Sequence, residues 1–355
     1  MALTIAGRLV GRKNNFDFIR FIAALAVVFS HSFDLSINKY QEPLRQLKGD
    51  ILSIGSIAVA VFFIISGFLI NKSIIKSPDL LTYFYSRVLR IYPALIAITL
   101  ISVFIVGPLL TSCTIREYFT SPQTIKYLIN TTCLKIYTDL PGVFDLNYNT
   151  TYNGSLWTLA HELICYIILA SVISFRKRKL KIAITLFVTI IAINLISRSN
   201  VLILNYFYHH CYYFMLGCLL FTYRNEVPLK RTYFLVAAAV FLLNIIFNTD
   251  YTSLILINGI SLAYLVIFVG LTPLLNLSYF TRYGDFSYGI YISAFPIQQY
   301  LYSRFIDLSC YSNFVISSLL ALCIAIVCWH FVEKPFLQLK KAPLSLIKRT
   351  RIFIL

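Results

Sequence analysis

Ten runs of mostly apolar residues, each near twenty residues long, alternate along the chain with polar segments. They cover 16–35, 51–71, 88–110, 154–174, 180–197, 202–222, 232–249, 252–271, 286–303 and 313–332. A helix rises 1.5 Å per residue, so about twenty residues cross a hydrocarbon core of about 30 Å. The pattern therefore predicts an all-α fold, a polytopic transmembrane helical bundle of about ten spans. The chain shows no internal repeat of the kind that builds a transporter from two related halves. One connection is long, the outer segment 111–153, which carries Tyr, Asn and Thr and a turn at Pro141-Gly142. A loop of that length is commonly functional. Lining the mouth of a site is one reading of it, and a plain connector is the other.

Composition agrees with a lipid environment. Hydrophobic residues make up 59% of the 355 and charged residues 13%, about half the charged share of an ordinary soluble domain. A mean hydropathy of +0.77 leaves too few polar side chains to cover a soluble surface. The net charge of +17 is a topology signal rather than the mark of a nucleic-acid partner, because the basic residues gather in short loops. With a cytoplasmic N-terminus, the inner segments hold 22 of the 31 Lys and Arg and the outer segments 8, Arg20 lying inside a span. Both termini and the basic 175–181 loop are expected on the cytoplasmic side. The first apolar run has the basic start of a signal peptide, yet Arg20 interrupts it and further spans follow, so it is read as a retained first helix. Cys165, Cys211, Cys218, Cys323 and Cys328 fall in apolar runs and read as packing residues. Cys113 and Cys133 share the long outer segment, where a disulfide is conceivable. No cysteine pair has zinc spacing, and no metal is expected.

Charged residues at membrane depth are costly and mark function or pairing. Arg20, His31 and Glu162 stand in spans; Arg90 and Glu333 stand near span ends. Arg20 and His31 are eleven residues apart, which is three helical turns plus about 20°, so both face one side about 16 Å apart. That stripe suggests a path through the membrane, or a helix packed by two buried polar pairs. Arg87 and Arg90, at i,i+3, share a face and suit a phosphate or pyrophosphate, although arginines at a span's inner end are also common topology anchors. Ser66-Gly67 permits close helix or ligand approach. Glu162 enters from the outside at about the depth of His31, where it could orient a histidine, bind a sugar hydroxyl or partner an arginine. His209, His210 and His330 read as satisfied structural histidines.

The same residues fall in a recognisable order. It runs through Phe16-Asp17-Phe18-Ile19-Arg20-Phe21, the Arg20–His31 pair, Phe62-Phe63-Ile64-Ile65-Ser66-Gly67-Phe68-Leu69 and Arg87-Val88-Leu89-Arg90-Ile91-Tyr92-Pro93. Ser155-Leu156-Trp157-Thr158 with Glu162, Gly284-Asp285-Phe286-Ser287-Tyr288-Gly289-Ile290-Tyr291 and Phe331-Val332-Glu333-Lys334-Pro335 complete it. In this order the chain resembles the acyltransferase-3 family of integral membrane acyltransferases, from Asn15 to Phe336. The resemblance implies a single membrane acyltransferase domain over 1–355 that transfers an acyl group, usually acetyl, from cytoplasmic acyl-CoA to a glycan across the membrane. It implies a catalytic role for His31 and donor handling by Arg20, Arg87 and Arg90. Two departures stand out. Ser293-Ala294-Phe295-Pro296 lacks the histidine that many members carry before Phe-Pro, and the SGNH hydrolase-like domain that some members append is not expected here.

The expected mechanism is transmembrane O-acetyl transfer, with acetyl-CoA as donor and a lipid-linked or surface glycan such as O-antigen as acceptor, in a bacterial inner membrane. The donor's phosphates would lie on Arg87 and Arg90 with Arg20, in a donor site that includes Ser66, Gly67 and Glu333. The pantetheine arm would thread outward, and the acceptor would arrive near Trp157 and Glu162. His31 would act as base, as suits a side chain titrating near about 6.5, or as an acetyl carrier. A transporter or flippase of a glycan or lipid is the rival class. The sequence names neither the sugar nor the oligomeric state.

Overall fold

The computed structural model describes residues 3–9, 14–37, 41–77, 79–132, 135–175, 180–197, 202–248, 250–272 and 277–340. The basic residues 176–179, the C-terminal stretch from 341 and Cys133 lie outside the described residues, so the disulfide expectation for Cys113 is not addressed. Among the described residues the regular structure is helical, apart from one isolated antiparallel bridge between Thr4 and Pro228.

Each of the ten predicted runs falls on a helix. In chain order these are α1 (Phe16–Asp34), α2 (Ile54–Lys76), α3 (Leu80–Leu110), α4 (Trp157–Phe175), α5 (Leu180–Ser197), α6 (Leu202–Thr222), α7 (Arg231–Phe247), α8 (Tyr251–Leu271), α9 (Ser287–Arg304) and α10 (Cys310–Leu339). Among the described residues six are long and apolar enough to cross a membrane: α1, α2, α3, α8, α10 and the helix that includes α4. α7 has 17 residues and is short for a span. α6 carries Tyr206, Tyr208, His209 and His210, and α9 carries Gln298, Gln299 and Arg304. Those polar side chains lower the apolarity that the run lengths alone suggested.

Two of the helices that exceed their predicted apolar runs, α3 and α10, do so for visible local reasons. α3 begins at Leu80 because the Asp79 side chain accepts from Thr82 N and caps its first turn. It contains a π-turn at Ser102–Val106. α10 continues past residue 332 through a π-turn at Trp329–Glu333, an irregularity frequent at functional sites.

The chain forms two compact units, each discontinuous in sequence. The first takes residues 1–34, 39–75 and 161–287; the second takes 35–38, 76–160 and 288–355. The start of α4, including Trp157, therefore counts with the second unit, and Glu162 with the first.

Within the first unit, glycines let helix backbones touch. A Cβ on Gly67 would lie 1.8 Å from the Phe214 carbonyl oxygen, and one on Gly217 would lie 2.1 Å from that of Ile64. α2 and α6 therefore cross at backbone contact, as small residues allow in membranes. α1 packs within this unit: Asn15 donates to the carbonyls of Val269 and Thr272, and Phe16 is buried with its ring 5.7 Å from Phe68.

Within the second unit, the long segment 111–153 is built rather than slack. Helices Ile115–Thr120 and Pro122–Leu128 open it, the first closed by a Thr114/Glu117 capping box. Gly142 turns with φ 71°, and Ser112 N donates to its carbonyl. The segment then ties to α9. Asn153 donates to the Ile292 carbonyl at 2.9 Å, Asn147 to Gln299 Oε1 at 2.8 Å, and Gln299 to the carbonyls of Asn149 and Thr151.

Candidate functional site

The first unit holds Arg20, His31, Ser66, Gly67 and Glu162. Arg20 Nη2 donates to Asp17 Oδ1 at 2.5 Å and to Asp285 Oδ2 at 2.6 Å. Asp285 is buried and also accepts from Ser287 N and Oγ, which fixes its second oxygen. Asp17 lies one turn before Arg20 on α1, whereas Asp285 comes from the segment entering α9. One guanidinium thus faces two carboxylates. This matches the reading of Arg20 as a helix-packing pair, and the Asp285 partner was not assigned from the sequence.

Glu162 belongs to a compact hydroxyl cluster. Its Oε1 accepts from Ser66 Oγ at 2.8 Å and from the Tyr166 phenol, and the two hydroxyls lie 3.1 Å apart. Tyr166 follows Glu162 by one helical turn, and Ser66 comes from α2. Ser66 therefore joins the Glu162 group, and Gly67 has a packing role that accounts for it without a ligand. Among the described residues the hydrogen-bond partners of Glu162 are these two hydroxyls, and His31 is not one of them. His31 is on α1, partly buried, with the Arg45 guanidinium within electrostatic reach.

The other histidines of this unit have partners. His161 Nδ1 and His210 Nδ1 are 2.8 Å apart, and His210 stacks on Phe63 with ring centres 4.7 Å apart. His209 Nδ1 lies 3.3 Å from the Tyr251 phenol. His209 and His210 are satisfied core histidines, as expected.

The second unit holds Arg87, Arg90, Glu333 and Trp157. Arg90 Nη1 lies 3.5 Å from Glu333 Oε2, and Glu333 is buried at the π-turn of α10. Lys340, beyond α10, joins the same field. Desolvation by the surrounding chain, then Arg87 and Arg90, hold its ammonium below the ordinary lysine range. Three cations therefore gather near the Arg90–Glu333 pair, and gathered cations favour an anionic ligand. Lys340 stands near the end of the chain. Its approach to Arg87, about 250 positions away in the chain, needed the tertiary structure.

Trp157 opens α4 partly exposed, behind a Gly154–Leu156 turn. The next residue, Thr158, shares a 2.6 Å hydrogen bond with the Tyr291 phenol. Tyr288, from the same stretch as Tyr291, donates to the Ile91 carbonyl one residue after Arg90. Three of the sequence motifs thus meet within this unit.

Known proteins share this chain's pattern. An acyltransferase domain of the acyltransferase-3 family matches residues 13–332. An O-acetyl transferase of Shigella phage Sf6 is 29% identical over 355 aligned positions, covering 94% of this chain and 99% of that protein. Nodulation protein 10 of Rhizobium leguminosarum bv. viciae is 33% identical over 174 positions, 47% of this chain and 46% of that protein. No solved structure matches the chain. The match over nearly the whole length places the chain in the acyltransferase-3 family.

Proposed function

We propose that this protein is a transmembrane O-acetyltransferase that takes acetyl from cytoplasmic acetyl-CoA and delivers it to a hydroxyl of a lipid-linked or surface glycan on the far side of a bacterial inner membrane. The observation that carries the reading is the gathering of three cations, Arg87, Arg90 and Lys340, beside the Arg90–Glu333 pair, in a chain that resembles an O-acetyl transferase over 94% of its length. A nucleotide donor brings phosphates, and guanidiniums bind phosphates in bidentate fashion.

In this reading Arg87, Arg90 and Lys340 hold the donor's phosphates. Glu333 orients Arg90. His31 removes the acceptor hydroxyl proton as that oxygen attacks the thioester carbonyl carbon. The C–S bond then breaks, and the departing CoA sulfur takes the proton back from His31. Glu162 serves the acceptor, because its Oε2 accepts no hydrogen bond among the described residues while Oε1 is held by Ser66 and Tyr166. Trp157 supplies an aromatic surface for a sugar ring. Arg20, already faced by two carboxylates, positions α1. All ten helices cross the membrane, and both termini are cytoplasmic.

The direct test is mass analysis of surface glycans from cells with and without the protein, together with consumption of acetyl-CoA by isolated membranes. A gain of one acetyl per repeat supports the reading. Unchanged glycan and an intact thioester would instead favour a transporter. Orientation is checked with Thr120→Cys and Arg178→Cys, each in a background lacking the eight native cysteines. An impermeant thiol reagent should label position 120 in intact cells and spare 178; the reverse would remove the donor site from the compartment that holds CoA.

A further inference from the structure

The segment after α1 makes an unusual set of bonds inside the first unit. Glu42 precedes the short helix Pro43–Lys48, yet its side chain does not cap that helix. Its Oε1 accepts from Ile54 N at 2.5 Å, one of the amides that the first turn of α2 leaves without an intrahelical partner. Its Oε2 accepts from Ser30 Oγ at 3.1 Å. Glu42 is 1% exposed. Burial raises its carboxyl above the ordinary range, and the bonds from Ile54 and Ser30 oppose that rise. Arg45, one turn on, grips both oxygens of Asp34, with Nη2 to Oδ2 at 3.4 Å, and its Nε lies 4.0 Å from Glu42 Oε2.

Ser30 and Asp34 are four residues apart and bracket His31 on one turn of α1. Both ends of that turn are therefore anchored to the 42–54 segment. Packing reinforces the anchor: a Cβ on Gly55 would lie 2.8 Å from Ser30 Cβ and Oγ, so only glycine lets the first turn of α2 approach this closely. Lys48 ties the far end of the short helix to the carbonyls of Ile246 and Asn248.

We infer that Glu42 and Arg45 are positioning residues for His31: they clamp its helical turn against the start of α2. The inference rests on His31 being the base. A general base works only when held within hydrogen-bond reach of the proton it removes, and a displacement of about 1 Å can cost on the order of a hundredfold in rate.

The test compares Glu42→Ala, Glu42→Gln and His31→Ala at matched membrane levels. Each is read by kcat, by donor and acceptor KM, and by the rate at which diethyl pyrocarbonate modifies His31, mapped by mass spectrometry. Glu42→Ala is expected to lower kcat at least tenfold, leave both KM values within twofold, and speed modification of His31. Glu42→Gln should restore kcat to within about threefold, because its amide oxygen accepts from Ile54 N while its NH2 donates to Ser30 Oγ. Wild-type kcat and modification rate in Glu42→Ala would overturn the clamp. A loss equal in the Ala and Gln variants with raised KM would also overturn it, since that is general damage. Should Glu42→Ala yield no protein, Glu42→Gln with Ser30→Ala, which frees one end of the turn, decides by the same readouts. Full activity in His31→Ala would overturn the base assignment, while the modification rates still report separately on the clamp.

Discussion

The two units treat positive charge in opposite ways. In the first, Arg20 meets Asp17 and Asp285 at 2.5 and 2.6 Å, so carboxylates outnumber the cation. In the second, Arg90 meets Glu333 at a looser 3.5 Å, and Arg87 and Arg90 both bear on Lys340. Both groups would look alike in a count of charged residues at helix ends. The ratio of cations to carboxylates separates them. A guanidinium held between two carboxylates fixes structure, whereas a gathering of cations draws an anion. Chemistry at the reacting atoms then falls to a different type of side chain, the imidazole of His31.

The largest expected effect tests that last step. General base catalysis contributes about 10²–10⁴ in rate, so His31→Ala should reduce acyl transfer by at least about a hundredfold at unchanged membrane level. Glycan acetylation in cells at matched expression measures it. Activity near wild type would move the chemistry elsewhere and leave only the charge contrast standing.

The contrast itself predicts different failures for the two arginine groups. Replacing Arg87 and Arg90 together by alanine removes hydrogen bonds to charged phosphate worth about 1.5–3 kcal/mol each. Acetyl-CoA affinity should therefore fall by roughly tenfold or more, with little change in thermal stability. Wild-type binding should weaken with added salt, because part of the attraction is screened. Equilibrium binding to purified protein at several ionic strengths measures both, and unchanged affinity would place the donor elsewhere.

How much of this was legible in the sequence depends on the range of the interaction. Helices were legible because a span needs about twenty consecutive apolar residues, and the run at 180–197 matches α5 end to end. The start of α3 was missed by eight residues, since the polar turn around Thr82 and Ser86 is helical through the Asp79 cap rather than through apolarity. Arg20 and Glu162 were visible because charge at membrane depth is conspicuous. Their partners were not: Asp285 reaches Arg20 across 265 positions and Ser66 reaches Glu162 across 96. Gly67 shows the converse. Sequence left it open between ligand approach and packing, and a Cβ there would lie 1.8 Å from the Phe214 carbonyl oxygen, which shows the packing constraint.

Arg20 should fail by stability instead of by donor affinity. Arg20→Ala leaves Asp285 without its cation, and breaking such a pair costs about 3 kcal/mol, the low end for buried pairs because Arg20 is itself one-fifth exposed. A lowered thermal midpoint in detergent is expected, partly restored by adding Asp285→Asn, with donor affinity unchanged in the folded fraction. A selective loss of acetyl-CoA binding at normal stability would erase the contrast and return Arg20 to the donor site.

The smallest effect is the most specific to the basic cluster. Desolvation, followed by Arg87 and Arg90, pushes the Lys340 ammonium below the ordinary lysine range. The charged form is the one that holds a phosphate, so donor affinity should decline as pH rises toward that depressed value, before an ordinary lysine would lose its proton. Bound phosphate favours the ammonium, so donor binding in this window should draw protons from solution. Lys340→Arg should flatten the decline, because guanidinium stays charged throughout. Lys340→Met should give at neutral pH the weakened affinity that wild type reaches only in alkali. The change is a few-fold, since two arginines remain, and titration calorimetry in two buffers of different ionisation enthalpy reads both affinity and proton uptake. Equal pH dependence in wild type and Lys340→Arg would detach Lys340 from the ligand and leave Arg87 and Arg90 as the anion-binding pair.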